Sequence, residues 1–353
     1  MIRTADDVNR MANLLALKIE NRRPDIRKHT DYVRGKRGTL KFASDEFKRY
    51  MADRFSGFAD NWCLPVAQAP VERIHFRGFI PYDDRELDSH VMRVWERNDC
   101  DRKLQETALM MTTTGRAFGL VTSMPDNRAR ISFEHPDSAA VHYDPLTGEV
   151  DAGLLVRYDE EHEFGTLLLP DMVFDVVRVR AGGDDERNRL PPGVDGWRFV
   201  PDSARVNPLG RVPLVEFRNQ MLLDDLPISD VEQVESMQDA VNVCWAYTLN
   251  ALDFASMPAR VILGGDSLSE PVFDKVTGEQ VGERPANLDK QVMERIMQIT
   301  GDNVSIGEWT ASNLQAFLPI IQKAVEHIAA ETRTPGHYLL TNAEVPATGY
   351  EVA

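Results

Sequence analysis

The chain has 353 residues, 42% hydrophobic and 27% charged, with a net charge of −16. That is enough apolar sequence for a real core in two or three domains, or in one large domain with an excursion, and the acidity argues against a nucleic-acid grip of the usual basic kind. No apolar run approaches the ~20 residues that span a bilayer, and the N-terminus lacks a signal-peptide core. Three widely spaced cysteines, Cys63, Cys100 and Cys244, fit a reducing compartment. The composition reads as a soluble, acidic, intracellular protein.

Residues 1 to 115 read as helical. Thr4 and Asp7 form a capping signature before a helix expected to end at Pro24. The stretch from Tyr32 to Leu40 is a basic, glycine-punctuated connection. Helices are expected behind Ser44, over Asn61 to Ala69, near Asp84 to Arg97, and over Asp101 to Thr113. Val71 to Phe79 alternates like a strand. From Gly115 the chain changes to short strands separated by turn residues, which reads as one small antiparallel sheet region. A polar loop, AGGDDERNRLPPGVDG, interrupts it, and GRVPLVEFRN completes it.

A long helix then spans Ser229 to Met257, roughly 40 Å at 1.5 Å per residue. Ser229 and Glu232 have capping-box spacing, and Pro258 stops the helix. One stripe is apolar. The charges are Asp230, Glu232, Glu235, Asp239 and Asp253, with no Lys or Arg to offset them. A compact mixed segment follows, with a strand at ARVILGG, a hairpin around Asp274 to Gln280, a short helix over Leu288 to Ile299, and a strand near Asn303 to Trp309. A second long helix runs from Ser312 to Thr332, with a stripe of Leu314, Phe317, Leu318, Ile321, Val325 and Ile328, and Pro319 is expected to kink it. Two long helices joined by a separately folding insertion cannot bury both faces within one chain, so they call for neighbours.

Catalytic and metal patterns are weak. Glu160, Glu161, His162 and Glu163 read as a solvated turn or strand; adjacent positions on a strand point to opposite faces, so these side chains do not easily converge on one ion. His135 and His142 flank a turn beside Asp137 and Asp144. No cysteine pair has zinc spacing, and P-loop, nucleophile-elbow and metalloprotease motifs are missing from the sequence. No cofactor is implied. Lys36, Arg37 and Lys41 read as a solvated loop.

The order of several strings carries more. YVRGKRGTL at Tyr32, Asn61 with ERIHFRGF, Gly115-Arg116-Ala117-Phe118-Gly119, GRVPLVEFRN ahead of Gln238-Asp239-Ala240, and AAETRTPGHYLL follow one another along the chain. In that order the chain resembles the portal proteins of tailed bacteriophages, particularly those of Gram-positive and actinobacterial hosts. The resemblance implies an α+β fold: a helical and antiparallel-β wing (1–228) and a long two-helix stem (229–257 and 312–332) with an inserted small α/β clip (258–311). A tunnel loop (333–348) and the start of a truncated helix (349–353) complete it, without the C-terminal crown of the family.

It further implies a ring of about a dozen subunits at a capsid vertex, in the virion and, during assembly, in the host cytoplasm. Double-stranded DNA passes non-specifically through its axis, with no catalytic activity and no membrane involved. The implied partners are the terminase packaging motor, a head-tail adaptor, and scaffold or capsid protein. Channel contacts fall to Arg333, Thr334, His337, Tyr338, Thr341 and Asn342 of the tunnel loop, expected to be mobile. Acidic walls fall to Glu232, Glu235, Asp239 and Asp253, because negative walls do not hold phosphates. Docking falls to the clip hairpin, with Phe273, Val276 and Val281 rimmed by Asp274, Glu279 and Glu283. The rival readings are an enzyme on the β-rich region with a helical dimerisation hairpin, and a structural adaptor without a channel.

Overall fold

The computed structural model describes residues 4–36, 41–51, 60–80, 88–124, 126, 128–158, 162–179, 196–222, 226–256, 260–263, 269–273, 280–285, 296–299, 305–308 and 317–339. Nearly all of the polar loop 181–196 lies outside them. The chain forms two compact units, Met1–Gly38 with Gly57–Gln238 and His327–Ala353, and Thr39–Ser56 with Asp239–Glu326. The architecture is mixed helix and antiparallel sheet.

In the first unit, helix α1 (Ala5–Val33) opens with the expected capping box: Asp7 N–H donates to Thr4 Oγ1 at 3.2 Å and Thr4 N–H to Asp7 Oδ2 at 3.2 Å. It does not end at Pro24. An interior proline costs about 3 kcal/mol, and burial of Ile26, His29 and Tyr32 beyond it offsets that loss. Helices α3 (Cys63–Val71), α4 (Ser89–Arg97) and α5 (Cys100–Thr114) follow. The segment after α3 forms no strand. Its alternation serves an aromatic cluster instead, with Phe76 stacked on Trp95 at 4.2 Å between centroids and Phe79 edge-on to it at 5.7 Å.

The strands are β1 (Arg116–Ser123), β2 (Ala129–Glu134), β3 (Ala139–Tyr143), β4 (Val150–Tyr158), β5 (His162–Leu168), β6 (Met172–Val179), β7 (Arg198–Phe199), β8 (Arg205–Val206) and β9 (Leu214–Arg218). They make two sheets rather than the single one expected. One has the order β3-β4-β5-β6-β7, with β8 on β6; the other has the order β2-β1-β9. The difference arises because β9 returns to β1, pairing Leu214 with Leu120, instead of extending the larger sheet. The period of two then builds a three-layer core. Val8, Leu15 and Ile19 of α1 pack on Leu154, Leu167 and Trp197, and the sheet's other face meets Phe118 and Leu214. Gly153 permits that approach, since a Cβ there would stand 3.1 Å from Leu214 and Val212.

The second unit holds α2 (Asp45–Met51), most of α6 (Glu235–Ser256), β10 (Arg260–Leu263), β11 (Ser269–Phe273), β12 (Gln280–Pro285), β13 (Ile296–Ile299), β14 (Ser305–Glu308) and the larger part of α7 (Leu318–Glu331). Ser44 Oγ accepts from Phe47 N–H at 3.2 Å, as a helix start behind Ser44 requires. Strands β11 and β12 form the expected hairpin. The helix expected to reach Ile299 gives way to β13, which pairs in parallel with β10 while β14 pairs on its other side. Helix α7 has its first residue at Leu318, so Pro319 sits in the first turn, where its missing N–H costs nothing and no kink is needed. Of the expected stripe, Ile321, Val325 and Ile328 are buried, and Leu318 is exposed.

Candidate functional site

The start of the long helix is where separate pieces of the first unit meet. The helix begins at Glu235, six residues after Ser229, and the Ser229–Glu232 capping box does not form. The reason is a competing set of partners. Ser229 Oγ donates to Thr113 O at 2.6 Å and accepts from Val231 N–H at 3.1 Å, while Asp230 N–H donates to Thr112 O at 3.0 Å. Residues 229–234 are thereby stapled as turns to the end of α5. Asn219 adds a clamp, donating from Nδ2 to Ile228 O at 2.9 Å and Asp230 Oδ1 at 2.8 Å. Burial pushes the Asp230 carboxyl above its usual range, opposed by the amide donors of Asn219 and Gln220.

The first turn of α6 is itself polar and buried. Gln238, 2% exposed, accepts at Oε1 from Trp62 N–H at 2.8 Å and donates from Nε2 to Asp60 O. Asn61, between those two, donates from Nδ2 to Val33 O at 2.7 Å and so ties the end of α1 to the start of α3. Gly35 completes that corner at φ +65°, where a Cβ would come within 3.3 Å of Asn61 Nδ2. Gly115 ends α5 at φ +83°, facing Pro227 O. Four of the sequence strings thus converge on one junction, through Gly35, Asn61, Gly115 and Gln238. The arrangement orients a helix.

A family model described as "Phage portal protein, SPP1 Gp6-like" matches residues 79–338, from just ahead of α4 into the helical turn α8 (Gly336–Leu339). The chain belongs to the phage portal protein family. It is 25% identical over 292 residues to the portal protein of Mycobacterium phage L5, covering 78% of this chain and 55% of that one. It is 24% identical over 294 residues to the portal protein of Mycobacterium phage D29, with the same coverage. The chain thus spans about half the length of these curated relatives. Two solved structures are also similar: a chain of the virion of a native gene transfer agent particle, and one of the neck of that particle computed with C12 symmetry. The first matches at 12% identity and a TM-score of 0.43, covering 92% of this chain and 72% of that one. The second matches at 13% and 0.40, covering 87% and 73%.

Within this portal-family chain the expected wall carboxylates separate. Glu235 is buried and pairs with Lys28, with His29 Nε2 at 3.4 Å, and Asp239 is 1% exposed. Both are buried within the chain. The long helix carries no Lys or Arg, and the cation that pairs with Glu235 comes from α1. A lysine and a histidine on the partly buried end of that helix were the available signal. Glu232 is exposed, and the Asp253 side chain lies outside the described residues.

The segment assigned to the tunnel loop is more ordered at its start than expected. Helix α7 ends at Glu331, beside the expected Thr332, and is closed by Arg333 at φ +53°, with Thr334 N–H reaching Ala329 O at 3.0 Å in a Schellman arrangement. Thr334 and Leu339 are buried, Tyr338 is partly exposed, and the turn α8 contains His337. Thr341 and Asn342 lie outside the described residues. In the clip, Phe273, Val281 and Glu283 fall on the β11–β12 hairpin, and Asp274, Val276 and Glu279 lie outside. Of the histidines and acids weighed as metal ligands, His142 Nδ1 lies 2.7 Å from Asp151 and Glu163 pairs with Arg178, while Glu160, Glu161 and the His162 side chain lie outside the described residues.

The junction has a pH signature. Burial pushes His29 below its ordinary value, opposed by Glu235. A base that binds its proton less well folded than unfolded takes up more protons on unfolding, so stability rises with pH through that window. It is complete above the ordinary histidine value of 6.5 and declines as the pH falls through it. Burial acts in the same direction on His135, so part of the loss belongs there. His29→Gln is expected to show a smaller drop in Tm between pH 7.5 and 5.5 than the parent. An equal drop in both proteins would remove His29 from the explanation.

Proposed function

We propose that the chain forms a ring of about twelve copies at a capsid vertex, through which DNA is packaged and later ejected. The single observation carrying this reading is the family match over residues 79–338. The family is one of structural proteins, and the ring is read as a conduit, with the packaging motor as a separate protein. Residues 1–228 supply the wing, 229–257 and 312–332 with α6 and α7 the stem, and 258–311 with β10 to β14 the clip, where the packaging motor and then the head-tail adaptor dock on the hairpin around Phe273, Val281 and Glu283. Scaffold or capsid protein meets the outside. The α7–α8 turn leads into the channel segment. Two features support the arrangement: α6 is about 33 Å long at 1.5 Å per residue, and its root is tied down by bonds a freely hinged helix would not need. Of the wall carboxylates, Glu232 and Asp253 remain candidates for the channel lining.

Native mass spectrometry or negative-stain imaging at micromolar concentration is expected to show closed rings, as a heterologous interface whose rotation closes requires. A monomer or a dimer near twice 39.9 kDa would refute the reading and favour the enzyme with a dimerisation hairpin. In rings, Glu232→Lys is expected to retain duplex DNA in a salt-sensitive way; binding no better than the parent at low salt would remove Glu232 from the wall.

A further inference from the structure

The first unit carries a cleft of about 820 Å³ that the portal reading does not use. It opens beside α1 and is lined by Lys18, Arg22, Arg116, Tyr143, Glu216 and Arg218. Its lining also includes Asp25, Lys28, Asp144 and Glu232, so five Lys and Arg side chains face four carboxylates there, a local excess of cations in a chain of net charge −16. Glu216 is fully engaged: Arg116 Nη1 donates to it at 2.8 Å, Arg218 Nε at 3.1 Å, and Tyr143 OH at 2.9 Å. Arg218 also lies over the Tyr143 ring, 4.0 Å from its centroid.

That leaves Lys18 and Arg22, one helical turn apart on α1. Their recorded hydrogen bonds go only to backbone carbonyls of β3, Lys18 Nζ to Val141 O at 3.3 Å and Arg22 Nη2 to Ala139 O. Strand β3 ends its sheet, so both cations shield an otherwise open edge. Edge protection uses a single donor from each. It leaves the buried Arg22 Nε without a partner. An uncompensated buried donor is costly, and burial together with the neighbouring Arg116 pushes Arg22 down to about 9. Lys18 is pushed down by burial as well. Asp144, which also lines the cleft, accepts from Leu146 N–H at 2.7 Å within its own turn.

We propose that this cleft binds a small phosphate-bearing anion, held by Lys18, Arg22 and Arg116. Its volume lies within the range of about 300–1,000 Å³ usual for small-molecule sites. A phosphoryl group supplies the acceptors that Glu216, already holding three donors, cannot. A DNA duplex is too wide to enter, so the site belongs to free anions and not to the conducted strand. The inference does not depend on ring formation.

Titration of the protein with pyrophosphate, at ionic strength held constant with sodium chloride, tests it by calorimetry. Saturable binding of one anion per chain is expected. Lys18→Met and Arg22→Gln should each weaken it by about tenfold or more, the scale of a lost charge-assisted hydrogen bond. Glu216→Gln should tighten it, because the competing internal carboxylate is gone. Lys18 is on the helix surface, so its variant is expected to melt like the parent, and that comparison separates lost binding from lost fold. The proposal fails if pyrophosphate behaves as chloride does, if folded Lys18→Met binds as tightly as the parent, or if duplex DNA displaces pyrophosphate.

Discussion

Gly115→Ala is expected to lower stability by about 3 kcal/mol, measured as a fall in the urea midpoint at unchanged slope. Two costs add. Gly115 sits at φ +83°, a left-handed conformation that costs a residue with a Cβ roughly 1–2 kcal/mol. The new Cβ would also stand 2.8 Å from Pro227 O, closer than real Cβ atoms come to anything. The obstacle is backbone, and it belongs to the segment stapled to α5 by Ser229 and Asp230. Relief therefore requires shifting the turns that set the start of α6. Asn219 N–H, which donates to Gly115 O at 2.9 Å, would move with them. Loss of less than about 0.5 kcal/mol, the range of a neutral surface change, would show that this corner is soft.

Helices and strands were legible in the sequence wherever one local rule decided them. Thr4 with Asp7 announced α1, and the alternation from Arg116 to Val179 gave strands close to their observed ends. Local rules failed where a distant partner outbid them. Ser229 and Glu232 have the spacing of a capping box, but the Ser229 hydroxyl is claimed by Thr113, 116 residues earlier. Pro24 looked like a stop, and the buried residues beyond it kept α1 intact. Val71 to Phe79 alternates, yet its aromatic rings found Trp95 instead of a neighbouring strand. Sheet membership was equally invisible, since nothing in β9 itself says that it returns to β1. The site was half legible. Gly35, Asn61, Gly115 and Gln238 were noticed as strings, but their convergence is a property of the fold. The ion pair of Glu235 was not legible in the long helix, because its cation, Lys28, comes from another element.

Gln238→Met is expected to cost about 2–3 kcal/mol while keeping nearly the same shape. The methionine removes an acceptor from Trp62 N–H and a donor from Asp60 O and supplies nothing in return. Each backbone group left without a partner in a buried position loses about 1–3 kcal/mol, more than the net worth of the bond itself; both groups are only partly buried, which keeps the sum near the lower end. The change also acts at a distance along the chain, because Asp60 and Trp62 flank Asn61, which holds the end of α1. Hydrogen exchange should therefore rise at Trp62 and in the first turn of α6 before it rises in the α1–sheet core around Leu154. If the chain assembles, Gln238→Met should lower the yield of closed rings at temperatures where the first unit is still folded, since the root of α6 is freed while its core survives. Ring yield that falls only together with global unfolding would mean that the junction stabilises the subunit without orienting the helix. Wild-type stability in the variant would mean that water replaces the side chain at no cost and that Gln238 anchors nothing.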